Sequence, residues 1–195
     1  CKIFATNSLD EYLISDLEKQ GARIDCYGVG DAIATSKAAP CFGNVYKLVQ
    51  LDGTPVMKMS EDRSKMINPG FQITWRISKN YPEEVFKIDV TCLRGDDTDQ
   101  AISGGKTITL FDELDRFKYK TLIEGEYTAH PLQIQMIKEG KRCIEEKPLS
   151  EKKSYYNETL ARFSPSEKRL INPHFFKVDI SDQLLKTKLG IIERL

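Results

Sequence analysis

Residues 2–31 read KIFATNSLDEYLISDLEKQGARIDCYGVGD, in which two short apolar runs flank a helical pattern and a glycine pair follows the second run. The apolar run over residues 2–7 predicts a buried strand, and a helix capped by Ser8 should follow and stop at Gly21. Residues 22–27 predict a second strand. A helix that crosses over between two strands places them parallel, so the loops after both strands meet at one edge of the sheet. The stretch therefore predicts an α/β unit.

The ends of these two predicted strands are the best candidate site in the sequence. In α/β sheets and barrels, ligands collect at the carboxyl ends of strands because loops and helix N-termini converge there. The loop after the second strand is glycine-rich, and glycine lets backbone N–H groups approach a phosphate closely. A Gly-x-Gly pair also fits a plain tight turn. The candidate phosphate-binding residues are Thr6, Asn7, Ser8, Gly28, Val29, Gly30 and Asp31.

The composition changes after Pro40, where short β-rich runs are separated by turn residues. This spacing predicts antiparallel β strands in a meander. In one run every second residue is apolar, which predicts a half-buried sheet and makes Trp75 a core anchor. The buried face should carry Phe71, Ile73, Trp75 and Ile77, and the strands are expected at residues 45–50, 56–60, 71–78, 85–93 and 106–111.

The last third of the chain mixes short elements with helices. A helix is predicted over residues 150–162, a second short helix begins at Pro165, and an amphipathic helix covers residues 181–195. Residues 175–180 predict one more strand. The sequence thus divides into an α/β segment with the phosphate loop, a β-rich segment, and a mixed segment with a helical tail, at residues 1–42, 43–117 and 118–195.

The overall composition is that of an ordinary globular protein with a core of its own. Its 29 Lys+Arg balance 29 Asp+Glu, and the sequence pI is near 6.9. A neutral chain lacks the broad basic field that non-specific nucleic-acid binding needs. No stretch reaches the roughly 18 to 20 apolar residues of a membrane span. We therefore expect a cytoplasmic protein with neither nucleic-acid nor membrane partners.

The sequence contains few of the residue patterns that are typical of catalytic or metal-binding sites. Five cysteines are spread without any Cys-x-x-Cys pair, which predicts neither disulfides nor a zinc site but small, buried or half-buried apolar side chains. His130 and His174 lie next to prolines, each in a predicted loop or at the edge of an element, and are interpreted as structural or solvated. No Ser/His/Asp order, paired carboxylates or metal-ligand cluster stands out, so we assign no catalytic and no metal-binding residue.

Four blocks of sequence resemble the nicotinate phosphoribosyltransferase family in both order and spacing. The tail resembles the end of that family as well, so the likeness covers nearly the whole chain. Long ordered blocks are far more specific than a lone Gly-x-Gly pair. The blocks are residues 6–12, 28–30, 43–49, and 57–62 with Lys65 and 68–70, and the tail comprises residues 161–165, 169–170 and 172–173.

The resemblance implies a type II phosphoribosyltransferase, in which an irregular α/β barrel is joined to a mostly β domain. Family members are much longer than 195 residues, and this chain begins at Cys1 rather than Met. We therefore expect the C-terminal part of such an enzyme, with the last barrel elements, antiparallel β strands and a helical tail. The missing N-terminal part would be its partner, and a homodimer is expected.

By resemblance, the whole enzyme forms nicotinate mononucleotide and pyrophosphate from nicotinate and phosphoribosyl pyrophosphate, a step of NAD biosynthesis. It uses Mg²⁺, and ATP hydrolysis drives it through a transiently phosphorylated histidine. That histidine and the arginine that clamps nicotinate belong to the absent part. This segment alone is expected to bind no cofactor and to be inactive.

The resemblance also assigns the candidate site. The loop over residues 28–31 matches the segment that holds the 5-phosphate of the ribosyl group, and residues 6–8 match the strand end that lines the same pocket. Asp31 departs from the family, where threonine is common, because a carboxylate repels a phosphate unless it is turned away, for instance as a helix cap. Other residues of the matching blocks, in predicted strands, are interpreted as structural: Tyr46, Lys47, Lys58 and Glu61.

Two other interpretations are also consistent with the sequence. The chain could be a non-catalytic phosphate- or nucleotide-binding module of the same fold, which retains the anion pocket without the chemistry. It could also be an α+β domain whose glycine loop is merely a turn. Phosphoribosyl pyrophosphate binding separates the last hypothesis from the other two, and the sequence encoded upstream of Cys1 separates enzyme from module.

Overall fold

The structure, a computed structural model, describes residues 1–62, 65–79, 84–115 and 117–194. The chain forms two compact units, one of residues 1–46 with 170–172 and one of residues 47–169 with 173–195. The described elements in chain order are β1 (Phe4–Thr6), α1 (Glu11–Lys19), β2 (Cys26–Gly28), α2 (Asp31–Ala34), β3 (Gln50–Leu51), β4 (Thr54–Pro55), β5 (Gln72–Lys79), β6 (Val85–Leu93), α3 (Asp97–Ser103), β7 (Ile108–Asp112), β8 (Tyr119–Leu122), β9 (Thr128–Pro131), β10 (Ile137–Lys138), β11 (Lys141–Arg142), α4 (Leu149–Ala161), β12 (Val178–Ser181) and α5 (Asp182–Ile192).

The first unit contains the strand, helix and second strand that the sequence predicts, but the predicted burial of the first strand was wrong, since Phe4 and Thr6 are exposed. β1 and β2 pair in parallel, with Thr6 opposite Gly28, and α1 connects them. The predicted cap of α1 was wrong. Asp10 caps the helix instead, because its carboxylate accepts the Leu13 N–H at 2.8 Å. Ser8 lies two residues earlier in a left-handed turn, with a φ of 51°.

The second unit is built on a six-stranded sheet in the order β8-β7-β12-β6-β5-β9. Neighbouring strands are antiparallel except for β12, which runs parallel to β6 and antiparallel to β7. The antiparallel meander expected for the β-rich segment is therefore confirmed for β5 and β6 but is interrupted before β7, because β12 lies between β6 and β7. The strand that the sequence places in the C-terminal segment occupies the middle of the sheet, between two strands of the β-rich segment.

Apolar side chains cover both faces of this sheet. On one face, alternate residues of β5 and β6 pack with β7 and Ile102 of α3. On the other face, Leu184 and Leu185 of α5 pack with Ile180 of β12. The predicted alternation is confirmed for Ile73, Trp75 and Ile77, which are buried, and is wrong for Phe71, which is 59% exposed just before β5 begins.

Two predicted strands and one predicted helix are absent from the described residues. A short hairpin, β3–β4, turns at Asp52-Gly53 in place of strands over residues 45–50 and 56–60. The predicted helix at Pro165 is a single turn, in which the Glu167 and Lys168 N–H groups both donate to the Ser164 carbonyl. The chain buries little apolar surface at these positions, so packing stabilises neither the two longer strands nor a longer helix.

Candidate functional site

The two predicted strand ends lie side by side in the first unit. Thr6 is paired with Gly28 in the parallel register, so the segments that start at Asn7 and Val29 leave the sheet at the same edge. The structure therefore brings together all seven residues that the sequence selects as a candidate site. Thr6, Asn7, Ser8, Gly30 and Asp31 are exposed, and Gly28 and Val29 are half-buried.

The glycine loop leads directly into the short helix α2. Gly30 is its N-cap, and the N–H groups of Ile33 and Ala34 both donate to the Gly30 carbonyl at 3.0 Å. The earlier N–H groups, of Asp31 and Ala32, have no acceptor within the helix, since helical bonding starts with the later residues. The loop can therefore present two backbone donors to an anion.

Gly30 lies in an open part of the loop. A Cβ at this position would have no atom within 4 Å, so the position is open towards its surroundings. The absence of a side chain at Gly30 therefore leaves space for a ligand.

Asp31 does not cap α2. It is the first helical residue, its side chain is exposed, and no side-chain cap bond forms at Gly30. A carboxylate in the first turn interacts favourably with the helix dipole. This stabilisation accounts for an acidic residue at the position without requiring it to contact a ligand.

The turn after β1 contains a feature that the sequence did not predict. Asn7 and Ser8 both have positive φ, at 85° and 51°. Left-handed backbone at two consecutive non-glycine residues is strained by roughly 1 to 3 kcal/mol each and is concentrated at functional sites. Asparagine tolerates this conformation better than most residues, which was the only signal in the sequence.

Two contacts brace the strand pair against its surroundings within the first unit. The Tyr27 hydroxyl donates to Glu18 of α1 at 2.5 Å, and the Ile3 N–H donates to the Asp25 carboxylate at 2.7 Å. The hydrogen bond to Glu18 raises the pKa of Tyr27. The first contact ties β2 to α1 one residue before Gly28, and the second joins the two chain segments just before β1 and β2 begin.

The second unit contains a cleft of about 650 Å³. Lys188 of α5 forms part of its wall and is only 7% exposed. Its ammonium donates to Glu113 at 2.8 Å and to Asn68 at 3.0 Å. Sequence reasoning missed this cluster because its members are far apart in the chain. Most of the lining is apolar, from Met59, Met66, Leu114, Phe117, Leu185, Leu189 and Ile192.

The block residues interpreted as structural do not lie in strands. Tyr46 is fully exposed, Lys47 is half-buried, and Lys58 and Glu61 lie in irregular exposed segments. Glu61 lines the cleft of the second unit. The strand placement predicted for these four residues was wrong, because the strands expected over residues 45–50 and 56–60 do not form.

The two histidines are exposed, and the Nε2 atom of His130 lies 3.7 Å from a Glu84 oxygen. The cysteine prediction holds for Cys92, whose burial raises the pKa of its thiol to about 12. It was wrong for the other four, which are exposed: Cys1, Cys26, Cys41 and Cys143.

The part of the chain that the structure describes contains no group of three or more His, Cys, Asp or Glu side chains able to hold a metal ion. Within the same residues, no helix is both long and apolar enough to cross a membrane.

Comparison with known proteins identifies relatives along nearly the whole chain. The sequence profile described as "Nicotinate phosphoribosyltransferase C-terminal domain" matches residues 72–188. A protein of Bacillus subtilis named nicotinate phosphoribosyltransferase is 29% identical over 192 residues, which are 96% of this chain and 38% of the relative. A Bos taurus protein of the same name is 28% identical, over 93% of this chain and 32% of its own length.

A solved structure has the same fold. The crystal structure of human nicotinic acid phosphoribosyltransferase superimposes with a TM-score of 0.70 and 18% identity, over 98% of this chain and 33% of that one. The chain thus spans about a third of the length of the relatives it matches. The profile match covers the main sheet, whereas the candidate phosphate loops lie before it.

Proposed function

Because this chain belongs to the nicotinate phosphoribosyltransferase family, with residues 72–188 as the C-terminal domain, we propose that it serves such an enzyme in NAD biosynthesis. The intact enzyme would join nicotinate and phosphoribosyl pyrophosphate to give nicotinate mononucleotide and pyrophosphate. ATP hydrolysis would drive the reaction. The contribution of this chain would be the cradle for the 5-phosphate of the ribosyl group.

The observation that carries this role is the parallel pairing of β1 and β2. Thr6 lies opposite Gly28, so the loop after β1 leaves the sheet at the same edge as the glycine loop, which has the first-turn N–H groups of α2 and the open Gly30. A phosphate is stabilised by convergent backbone N–H groups and by the start of a helix. Asp31 would contribute its N–H group, and its exposed carboxylate would stay in solvent.

Mg²⁺ and ATP are proposed as cofactors of the intact enzyme. The described residues offer no cluster of carboxylate, histidine or cysteine ligands for a metal, so no step is assigned to Mg²⁺ here. The phosphorylated histidine and the nicotinate-binding arginine are proposed to lie in the rest of the enzyme. Residues 1–195 by themselves would then form no nicotinate mononucleotide.

The proposal extends to the assembly and the location of the enzyme. We expect the chain to work with the N-terminal part of the same enzyme, as a homodimer in the cytoplasm. Sedimentation of the intact gene product tests the expected homodimer, since a dimer has twice the mass of one full-length chain. A monomer under assay conditions would contradict it.

Titration of the intact gene product with phosphoribosyl pyrophosphate tests the phosphate cradle. Gly30→Val puts a branched side chain into the open space of the loop and should weaken binding about tenfold or more. Gly190→Val is the matched control, because its Cβ also meets no atom within 4 Å but it lies in α5. Equal affinities of the Gly30→Val and wild-type proteins would remove the loop from the site.

A coupled assay distinguishes the enzyme from the binding module. With nicotinate, ATP and Mg²⁺ supplied, the enzyme should release nicotinate mononucleotide. Binding of phosphoribosyl pyrophosphate without product would instead favour the non-catalytic module.

A further inference from the structure

The two glycines of the loop have different surroundings. A Cβ added to Gly28 would lie 2.8 Å from the Thr6 Cγ2 methyl and 2.9 Å from Phe4 Cε1. Real Cβ atoms do not approach other heavy atoms this closely, whereas a Cβ at Gly30 would meet nothing within 4 Å. Gly28 is therefore enclosed by neighbouring side chains, and Gly30 is open.

The strand register explains the enclosure. Phe4 and Thr6 are two residues apart on β1, so their side chains lie on the same face of the strand pair. Gly28 is paired directly with Thr6 on that face. The Thr6 methyl and the Phe4 ring thus occupy the volume that a side chain on Gly28 would need.

We propose that Gly28 is a positioning residue, whose bare Cα lets Thr6 and Phe4 close onto β2 and so sets the separation of the two phosphate-facing loops. Gly30, in contrast, faces the ligand. This inference rests on the proposed function, because it assigns to Gly28 a role in phosphate binding that acts through Thr6 rather than through contact with the phosphate.

The stiffness of Thr6 makes the arrangement sensitive to one added methyl. A β-branched side chain has few alternative χ1 rotamers on a strand, so the Thr6 methyl cannot easily turn away. The Phe4 ring is 61% exposed and can swing outwards at less cost. An alanine at position 28 should therefore push the strand ends apart mainly through Thr6.

Variants of the intact gene product at Thr6 and Gly28 test this inference. Gly28→Ala should raise the dissociation constant for phosphoribosyl pyrophosphate by roughly tenfold, because the loop N–H groups lose their alignment with the phosphate. Thr6→Ser removes the Cγ2 methyl and keeps the hydroxyl, and its own dissociation constant is the reference against which the double variant is compared. The double variant Gly28→Ala with Thr6→Ser should recover most of the lost affinity.

Two further measurements separate positioning from a general loss of structure. In steady-state assays, Gly28→Ala should raise the KM for phosphoribosyl pyrophosphate and leave the KM for nicotinate unchanged. Thr6→Val, which keeps a methyl group and removes the hydroxyl, should fail to rescue Gly28→Ala. If Gly28→Ala alone does not fold, the double variant still reports whether removal of the methyl restores both folding and binding.

The outcomes separate this inference from the proposed function. If the wild-type protein does not bind phosphoribosyl pyrophosphate, the proposed function fails and the inference falls with it. If the wild type binds and Gly28→Ala binds equally well, only the inference is overturned. A loss of affinity that Thr6→Ser does not restore also overturns it, since Gly28 would then act through other contacts.

Discussion

The two units of this chain differ in how they are held together. The second unit has a six-stranded sheet with buried side chains on both faces, whereas Leu9 is the only buried side chain among the described residues of the first. A two-stranded sheet without a core is marginally stable by itself. The proposed phosphate cradle thus lies in the unit that has less packing of its own, and the second unit contains the other buried side chains of the described residues.

The largest effect should come from the cluster that Arg76 forms with Asp89 and three phenylalanine rings in the second unit. Arg76 forms two bonds to Asp89 at 2.9 and 2.8 Å, and its guanidinium lies over the rings of Phe86, Phe163 and Phe176. Arg76→Ala leaves the buried Asp89 carboxylate unpaired, so we expect a loss of about 3 to 5 kcal/mol in the free energy of unfolding.

Urea denaturation followed by tryptophan fluorescence measures this loss, since Trp75 is the single tryptophan and lies in the core of the second unit. Arg23→Ala, at an exposed position in the first unit, is the control and should change the transition by less than about 0.5 kcal/mol. Equal transitions for both variants would show that the cluster adds nothing to stability.

The next effect compares one leucine from each unit. Leu110 of β7 is fully buried, and Leu110→Ala should destabilise the second unit by about 2 to 5 kcal/mol through lost burial and a cavity. Leu13 of α1 is 43% exposed, and Leu13→Ala should leave the Trp75 transition unchanged. A similar shift from Leu13→Ala would mean that the two units unfold together and would break the comparison.

A smaller effect compares two helix caps. The Ser181 hydroxyl accepts the Leu184 N–H at 3.1 Å and also donates to Asp96, so Ser181→Ala should cost about 1 to 2 kcal/mol in the second unit. Asp10 caps α1 in the same way. Asp10→Ala should lower local protection of α1 from hydrogen exchange and leave the urea midpoint of the second unit in place. Loss of that midpoint would contradict the independence of the two units.

The smallest effect compares the buried thiol of Cys92 with the four exposed cysteines. The four exposed cysteines should react with iodoacetamide in the native state, and Cys92 should react only after unfolding, which mass spectrometry of the labelled chain can count. Because burial raises the pKa of Cys92 to about 12 from 9.0, its contribution to stability is complete below pH 9 and is lost as the pH rises towards 12. Rapid native labelling of Cys92 at pH 8 would contradict this burial.

The sequence predicts those features that depend on neighbours along the chain. β6 has the predicted bounds, and the strand–helix–strand order of the first unit is confirmed, because apolar periodicity and capping residues are local signals. The pairing of Ser181 with Leu110 is not local, so the position of β12 inside the sheet was missed. The cap at Asp10 was missed for a different reason, since the left-handed turn at Asn7 and Ser8 delays the helix by two residues.

The sequence identifies the residues of the candidate site but not the different roles of its two glycines. Gly28 and Gly30 look alike in the sequence, and only the distances to Thr6 and Phe4 separate a packing glycine from an open one. The exposure of four cysteines could not be predicted either, because small apolar neighbours occur at the surface as well as in a core.

The place of β12 in the sheet has a consequence during synthesis of the protein. While the ribosome has not yet released residues 178–181, β7–β8 and β9–β5–β6 are two separate sheets, each with an unpaired edge where β12 will insert. Open edges of this kind recruit other chains. We therefore expect the nascent chain to need protection until β12 emerges, and a premature stop codon shortly before Val178 should yield an insoluble product rather than a shortened domain.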